Sequence, residues 1–185
     1  MTTLLHAVDA PPSVADVLVL GSGMSPRVDA LNVDINANCR PDVVHDLRVF
    51  PWPFASGTFR EVWCHDILEH LPDTVATMEE IHRVCRPGAR IYVTTPHFSC
   101  ANAFTDPTHC HQFGMFSFDF FTGSALHPYY TDKRFAYVRR LLVFHPSHLN
   151  TLIRRVANRW PAFYERHLCW IQPAFFMSIE LAVRK

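Results

Sequence analysis

Apolar residues along this chain come first in short unbroken runs and only later at helical spacing. Val17 to Leu20 (VLVL) is apolar throughout, as a strand covered on both faces is. Leu31 to Ile35 (LNVDI), Asp42 to His45 (DVVH) and Glu61 to Cys64 (EVWC) follow as further short strands. The loop DLRVFPWPFASGTF precedes the last of these and is stiffened by Pro51 and Pro53. The period then changes. After Pro72, the residues Val75, Met78, Ile81, His82 and Cys85 recur at helical spacing, and Asp73 or Thr74 is suited to cap the start. Arg86-Pro87-Gly88 ends that helix, with Gly88 free to turn left-handed. Arg90 to Thr95 (RIYVTT) is rich in β-branched residues and predicts a fifth strand. Residues 135–144 predict a sixth. Residues 147–160 predict a helix with Leu149, Leu152, Ile153 and Val156 on one side, and the alternation of 175–185 predicts a closing strand.

A strand, a helix, a glycine turn and a strand make a βαβ unit, which implies a parallel sheet. The stretch from Pro96 to about Arg134 is long, aromatic and without period. Compact domains carry such a segment mainly as a lid or a binding wall. A chain of 185 residues with 49% hydrophobic and 18% charged residues suits one domain with a sizeable core. Seventeen basic residues balance seventeen acidic ones, so bulk charge gives no reason to expect nucleic acid. Arg139, Arg140, Arg154, Arg155, Arg159 and Arg166 crowd the last third and are expected to be solvated faces of a strand and a helix. Six scattered cysteines without a CxxC pair are expected to be buried thiols. The start has no basic leader, and no stretch nears the roughly 20 apolar residues of a membrane span. The expectation is a soluble, cytoplasmic protein.

Gly21-Ser22-Gly23 follows the first strand, and Asp34 falls near the end of the second. Glycines let a backbone approach a ligand closely, and a strand-end carboxylate can accept from both hydroxyls of a ribose. Pro26 stands where a full G-x-G-x-x-G would place its third glycine, and Arg27 and Val28 after it supply none, so a cofactor without phosphates fits better than a pyrophosphate. Pro26 disfavours a long helix starting at Gly23. On this stretch alone, a plain turn followed by a strand-end acid accounts for the pattern equally well.

Two further stretches separate these readings: DLRVFPWPFASGTFREVWCHDILEHLPD and MEEIHRVCRPGARIYVTTPHFS. With the glycine loop and Asp34 they resemble, in order over about residues 17 to 96, the class I S-adenosylmethionine-dependent methyltransferases. The matching features are the GxG loop, the acid after strand two, Asp-Leu before a Pro-Phe loop, LEHL after strand four, and a helix exit of the form E-hydrophobic-x-R-hydrophobic-x-x-P-G. DPTHCHQF and the C-terminal YERHL…IQPAFFMSIELAVRK are similar to the lid and last strand of a compact, small-molecule branch. One departure is Phe59-Arg60-Glu61-Val62, where the family has F-D-x-V. The resemblance implies an α/β, Rossmann-like, mostly parallel twisted sheet with helices on both faces, a degenerate first helix and an antiparallel last strand. It implies a single domain over 1–185: a cofactor-binding half at 17–96, a lid and substrate-binding insertion at 97–134, and a C-terminal strand–helix–strand at 135–185.

By position, the resemblance sets Gly21, Ser22 and Gly23 against the amino-acid end of S-adenosylmethionine. It places Asp34 on the ribose hydroxyls, Ile35 beside the adenine, Asp46 and Leu47 at the adenine edge, and His65 and Asp66 toward the methionine portion. Methyl transfer needs alignment and exclusion of water, with a base only if the acceptor arrives protonated. His109, His111 and Asp106 are the candidates for that chemistry, since a histidine titrates near neutrality. His97, Phe98, Phe113, Phe116 and Tyr129 are expected to line the acceptor site, whose aromatics predict a flat or hydrophobic small molecule. The competing expectations are that the lid aromatics are core, that His70 and His82 pack or cap around the helix, and that His97, Asp106, His109 and His111 hold a metal; no metal is the leading expectation. The expected activity is methyl transfer to O, N or C of a small molecule in biosynthesis, without nucleic acid or membrane as partner and with a homodimer allowed. Two alternatives stand beside it: a cofactor-binding subunit without catalysis, and a non-methylating use of the cofactor such as cyclisation.

Overall fold

A computed structural model describes residues 16–124, 129–146 and 148–185, the side chains of 148–150 excepted. Seven strands form one sheet: β1 (Val17–Leu20), β2 (Leu31–Asp34), β3 (Val43–Val44), β4 (Phe59–His65), β5 (Cys85–Pro96), β6 (Arg134–Val143) and β7 (Phe176–Arg184), in the order β3-β2-β1-β4-β5-β7-β6. The first five run parallel; β7 inserts antiparallel between β5 and β6. From β1 the chain winds outward through β2 to β3, then returns to place β4 on the other side of β1. That reversal opens a crevice beyond the carboxyl ends of β1 and β4, where open α/β sheets bind ligands.

Helices α1 (Thr74–Val84), α4 (His148–Arg159) and α5 (Pro161–His167) build the main core with the sheet. Leu18, Leu20, Val62, Cys64, Ile91, Val93, Ile179 and Leu181 meet Met78 and Ile81 of α1, Ala157 of α4 and Tyr164 of α5 in one buried cluster. Each large aliphatic side chain so buried contributes roughly 1.5–3 kcal/mol. The opposite sheet face carries a smaller cluster of Val17, Val19 and Ala30 packed with Trp63. There the Trp63 ring stacks on Tyr92 at 4.2 Å and the Arg27 guanidinium lies 4.5 Å over it. No helix joins β1 to β2; residues 21–30 are turns and loop. Pro26 and the short span leave no room for one.

The helix expected after Pro72 is α1, and the Asp73 carboxylate accepts from the Ala76 amide at 2.8 Å as its cap. Cys85 is already extended, and β5 starts there rather than at Arg90. Phe59 pairs with Cys85, so β4 also begins earlier than its apolar run. Helix α5, opened by Pro161, was not expected from the periodicity.

The E-hydrophobic-x-R pattern of α1 has a plain structural meaning. Arg83 donates to the Phe54 and Trp52 carbonyls at 2.8 and 3.1 Å and pairs with Glu80 at 2.7 Å. Glu80 in turn accepts from the Trp52 amide at 2.9 Å. The buried Trp52 indole donates to the Leu47 carbonyl at 3.0 Å. Helix α1 therefore clamps the Pro-rich loop and, through Trp52, fixes Leu47.

The long aromatic segment carries two single-turn helices, α2 (Asn102–Thr105) and α3 (Asp119–Thr122). Phe113, Phe118 and Phe121 are buried in the main core, while Phe104, Phe120, Tyr129 and Tyr130 are exposed.

Candidate active site

The first cleft, of about 270 Å³, is lined by Gly21, Asp34, Ile35, His45, Asp46, Leu47, Arg48, Ile67, His70, Leu71 and Thr108. It lies over the carboxyl ends of β1 and β2. Gly21 has φ +63°, and a Cβ there would sit 2.6 Å from the Ile67 side chain, so only glycine fits. Asp34 spans the cleft edge: one carboxylate oxygen accepts from the Gly23 amide and the other from the Asn36 amide, each at 2.8 Å. It braces the glycine loop while keeping further lone pairs for a ligand diol. Ser22 is buried, and its hydroxyl has no hydrogen-bond partner among the described residues. Ile35 is 58% exposed, an apolar surface that a flat ring would cover. Asp46 is held by Arg48 through bonds of 2.8–3.1 Å, and that guanidinium pulls its carboxyl down to about 2. Arg48 neutralises much of the charge at that edge, which suits a purine amine better than a cation.

The second cleft, of about 550 Å³, is lined by Asp66, Glu69, His70, Pro96, Asn102, Thr105, Asp106, Pro107, His109 and Phe176. His70 lines both clefts, so they adjoin. Asp66 takes φ +49° and its amide donates to the Thr94 carbonyl at 2.9 Å, which turns the chain sharply after β4. Burial pushes the Asp66 and Glu69 carboxyls up and the His70 imidazole down. His109 is brought in by a loop that folds back from residue 97; the Cys110 amide donates to the Glu69 carbonyl at 2.8 Å.

The expected site residues therefore divide. Gly21, Asp34, Ile35, Asp46 and Leu47 share the first cleft, and Asp66, Asp106 and His109 share the second. Ser22 and Gly23 belong to the loop behind the first cleft. His65 lines neither; its ring lies beside Trp63 with Nδ1 3.0 Å from the Thr94 hydroxyl.

His111 is separated from His109. It bonds the Pro72 carbonyl at 3.0 Å and borders another hollow with Phe113, Phe120 and Tyr130. His97 is fully buried, bonded to Ser99 at 2.7 Å and Glu165 at 3.2 Å, and reaches no described cleft. The geometry thus corrects its placement as an acceptor contact: the turn after β5 carries its side chain inward beside Tyr164. Phe98 packs against Trp170, Phe116 lies under Arg140, and Tyr129 contacts Tyr130; none lines the 550 Å³ cleft. The four-residue metal set His97, Asp106, His109 and His111 is not assembled.

Glu69, His70, Ile67, Leu71 and Thr108 were not singled out from sequence as site residues. The LEHL segment was visible, but an apolar–acid–His–apolar turn says nothing of which cleft it faces until residues 97–113 close over it.

Residues 23–93 match the family described as "Methyltransferase domain". A curated relative, the ubiquinone biosynthesis O-methyltransferase of Xanthomonas oryzae pv. oryzae, is 27% identical over 89 residues, 48% of this chain and 32% of that protein. The match thus spans about a third of the relative's length. Among solved structures, a SAM-dependent methyltransferase from Archaeoglobus fulgidus aligns with a TM-score of 0.54 and 17% identity, covering 90% of this chain and 85% of the other. The [4+2]-cyclase SpnF aligns with a TM-score of 0.54 and 15% identity, covering 91% and 74%.

Proposed function

We propose that this chain, whose fold and 23–93 segment are those of the class I S-adenosylmethionine-dependent methyltransferases, transfers a methyl group to O, N or C of a small molecule. The observation that carries the reading is the pair of adjoining clefts that share His70 at the sheet's switch point. The glycine that admits no Cβ, the diol-ready Asp34 and the exposed Ile35 fit a nucleoside. The acid- and histidine-lined neighbour fits an acceptor. When bound, S-adenosylmethionine supplies a sulfonium methyl that a nucleophile's lone pair can take, the C–S electron pair returning to sulfur.

In this reading Asp34 accepts from the ribose hydroxyls while it braces Gly23. Asp46 accepts from the adenine amine and the Leu47 amide donates to the ring. Ile35, Ile67 and Leu71 supply apolar contact. His109 takes the acceptor's proton where it has one, because its imidazole lines the second cleft within reach of an entering nucleophile. Holding the reactants in line contributes up to ~7–11 kcal/mol of rate enhancement. A cleft of 550 Å³ suits a small molecule, and the balanced charge favours no polyanion.

The test is incubation with methyl-labelled S-adenosylmethionine and a panel of phenols, amines and carboxylic acids. Label transfer with S-adenosylhomocysteine release supports the reading; tight cofactor binding with no transfer to any acceptor favours a non-catalytic binding role. The fold shared with the cyclase SpnF motivates a second reading, a non-methylating reaction on the same scaffold. Release of methylthioadenosine in place of S-adenosylhomocysteine identifies cyclisation of the cofactor's own side chain.

A further inference from the structure

Glu69 is 1% exposed and both its carboxylate oxygens lack a hydrogen-bond partner among the described residues. The Thr95 hydroxyl is the neighbour that could donate to it, and this contact works against the burial that raises the Glu69 carboxyl, but among the described residues its geometry falls short of a formed hydrogen bond. An orphaned carboxylate so placed costs several kcal/mol unless something in the cleft completes it. The two side chains beside it are imidazoles. A Glu69 oxygen and one nitrogen each of His70 and His109 lie within 4.8 Å of one another. The two rings meet edge to face with centroids 4.6 Å apart.

The hydrogen bonds around these rings decide which nitrogen is free. The Thr108 hydroxyl lies 2.6 Å from an Asp106 oxygen and 2.8 Å from His70 Nδ1. An ionised carboxylate only accepts, so Thr108 spends its one proton on Asp106 and must accept from His70 Nδ1–H. His109 Nδ1 lies 3.3 Å from the Ala103 carbonyl, which also only accepts. Both imidazoles are therefore held with Nδ1 protonated and the Nε2 lone pair available. Metal-bound histidines are held this way, by a carboxylate or carbonyl on the far nitrogen.

We propose that Glu69, His70 and His109 bind one divalent first-row transition-metal cation in the second cleft. Two imidazoles and a carboxylate are the donor set of Zn²⁺ and Fe²⁺ sites that keep positions open. The ligand-to-metal distances of about 2.0–2.2 Å call for the three donor atoms to draw together from their present spacing of within 4.8 Å. Asp66, Asn102 and Thr105 line the same cleft, where an acceptor would enter. Binding stands on this geometry alone. The use of the ion, to ligate and acidify an acceptor's oxygen, rests on the methyltransfer reading; with the ion bound His109 is a ligand, and this acidification takes the place of proton removal by its imidazole.

The probe is the metal alone on chelator-stripped full-length protein: Zn²⁺ by calorimetry, and Co²⁺ by its ligand-field absorption. The expected result is one ion bound per chain. Glu69→Gln, which keeps the shape, and His109→Ala are each expected to weaken binding at least tenfold with unchanged circular dichroism. Cys110→Ser removes the thiol next to His109 but keeps a donor to the Glu69 carbonyl, which the thiol bonds at 3.3 Å, and is expected to leave binding unchanged. No binding, binding indifferent to Glu69→Gln and His109→Ala, or binding lost with Cys110 overturns the proposal. S-adenosylhomocysteine affinity, measured on the same stripped protein, reports separately on the cofactor cleft, so either reading can fail without the other.

Discussion

Replacing Asp34 by Ala separates two jobs of one carboxylate. In the structure it accepts from the Gly23 and Asn36 amides, both at 2.8 Å. The Asn36 amide is exposed and finds water when the acceptor goes. The Gly23 bond is partly buried, and its loss costs about 1–3 kcal/mol of stability. For a chain of 185 residues that is a fall in Tm of about 2–12 °C, at roughly 2–4 °C per kcal/mol. The ligand loses two hydrogen bonds from its hydroxyls to a charged acceptor, about 1.5–3 kcal/mol each. Together that is ~3–6 kcal/mol, or roughly 10²- to 10⁴-fold in Kd. The assay is calorimetric titration with S-adenosylhomocysteine at a temperature well below the variant's melting transition. A folded Asp34→Ala protein that binds within about threefold of the parent would falsify the assignment of the ribose to this acid, because no repacking of the loop can replace a charged acceptor.

Gly21→Ala forces a Cβ to 2.6 Å from Ile67 at φ +63°, so it is expected to lose about 2–4 kcal/mol of stability, read by urea unfolding; a loss under 1 kcal/mol contradicts the close approach. Arg83→Ala frees the Trp52 and Phe54 carbonyls and is expected to cost about 2–4 kcal/mol and to weaken S-adenosylhomocysteine binding through Leu47, with unchanged affinity in titration counting against the clamp. His109→Ala is expected to lower turnover by about 10²-fold or more, while His111→Ala stays within about twofold, once an acceptor is found; equal effects would refute the division of the two histidines. Burial lowers the His82 imidazole, whose Nε2 bonds the Arg184 carbonyl at 2.9 Å. The unfolded chain then binds the extra proton first, so this contribution is complete above the ordinary histidine value of about 6.5 and is lost as pH falls toward the lowered folded value. His82→Gln is expected to flatten the melting temperature across that window, and a parallel curve would show that His82 does not contribute.

Much of the first cleft was legible because its signals are local. Gly21, Gly23 and Asp34 sit on a strand–loop–strand of 18 residues, Val17 to Asp34, where apolar runs fix the register and the glycines mark the turn. The clipped link after Gly23 followed from Pro26 and length. The helix with its Asp73 cap followed from period and capping chemistry. The second cleft was legible only in composition. His109 and His111 are two apart in sequence, yet the loop turns the side chain of one toward the Glu69 carboxylate and that of the other toward the Pro72 carbonyl. His97 carried the same chemistry as His109 but is consumed by Ser99 and Glu165, the latter 68 positions away. His70 looked like a helix-flanking residue and proves to be the wall between the clefts. Such outcomes depend on non-local pairing, which the hydrophobic pattern does not encode. The early start of β5 at Cys85 has the same origin: pairing with Phe59 extends the strand through a segment that its own residues mark as a turn.

The most direct measurement is an experimental structure of the protein crystallised with S-adenosylhomocysteine. The account predicts both ribose hydroxyls within hydrogen-bond distance of the Asp34 carboxylate, the adenine over Ile35 with its amine toward Asp46, and the sulfur directed past His70 toward the cleft of Asp66 and His109. A ligand seated elsewhere, or an Asp34 that still engages only Gly23 and Asn36 beside a bound nucleoside, contradicts it.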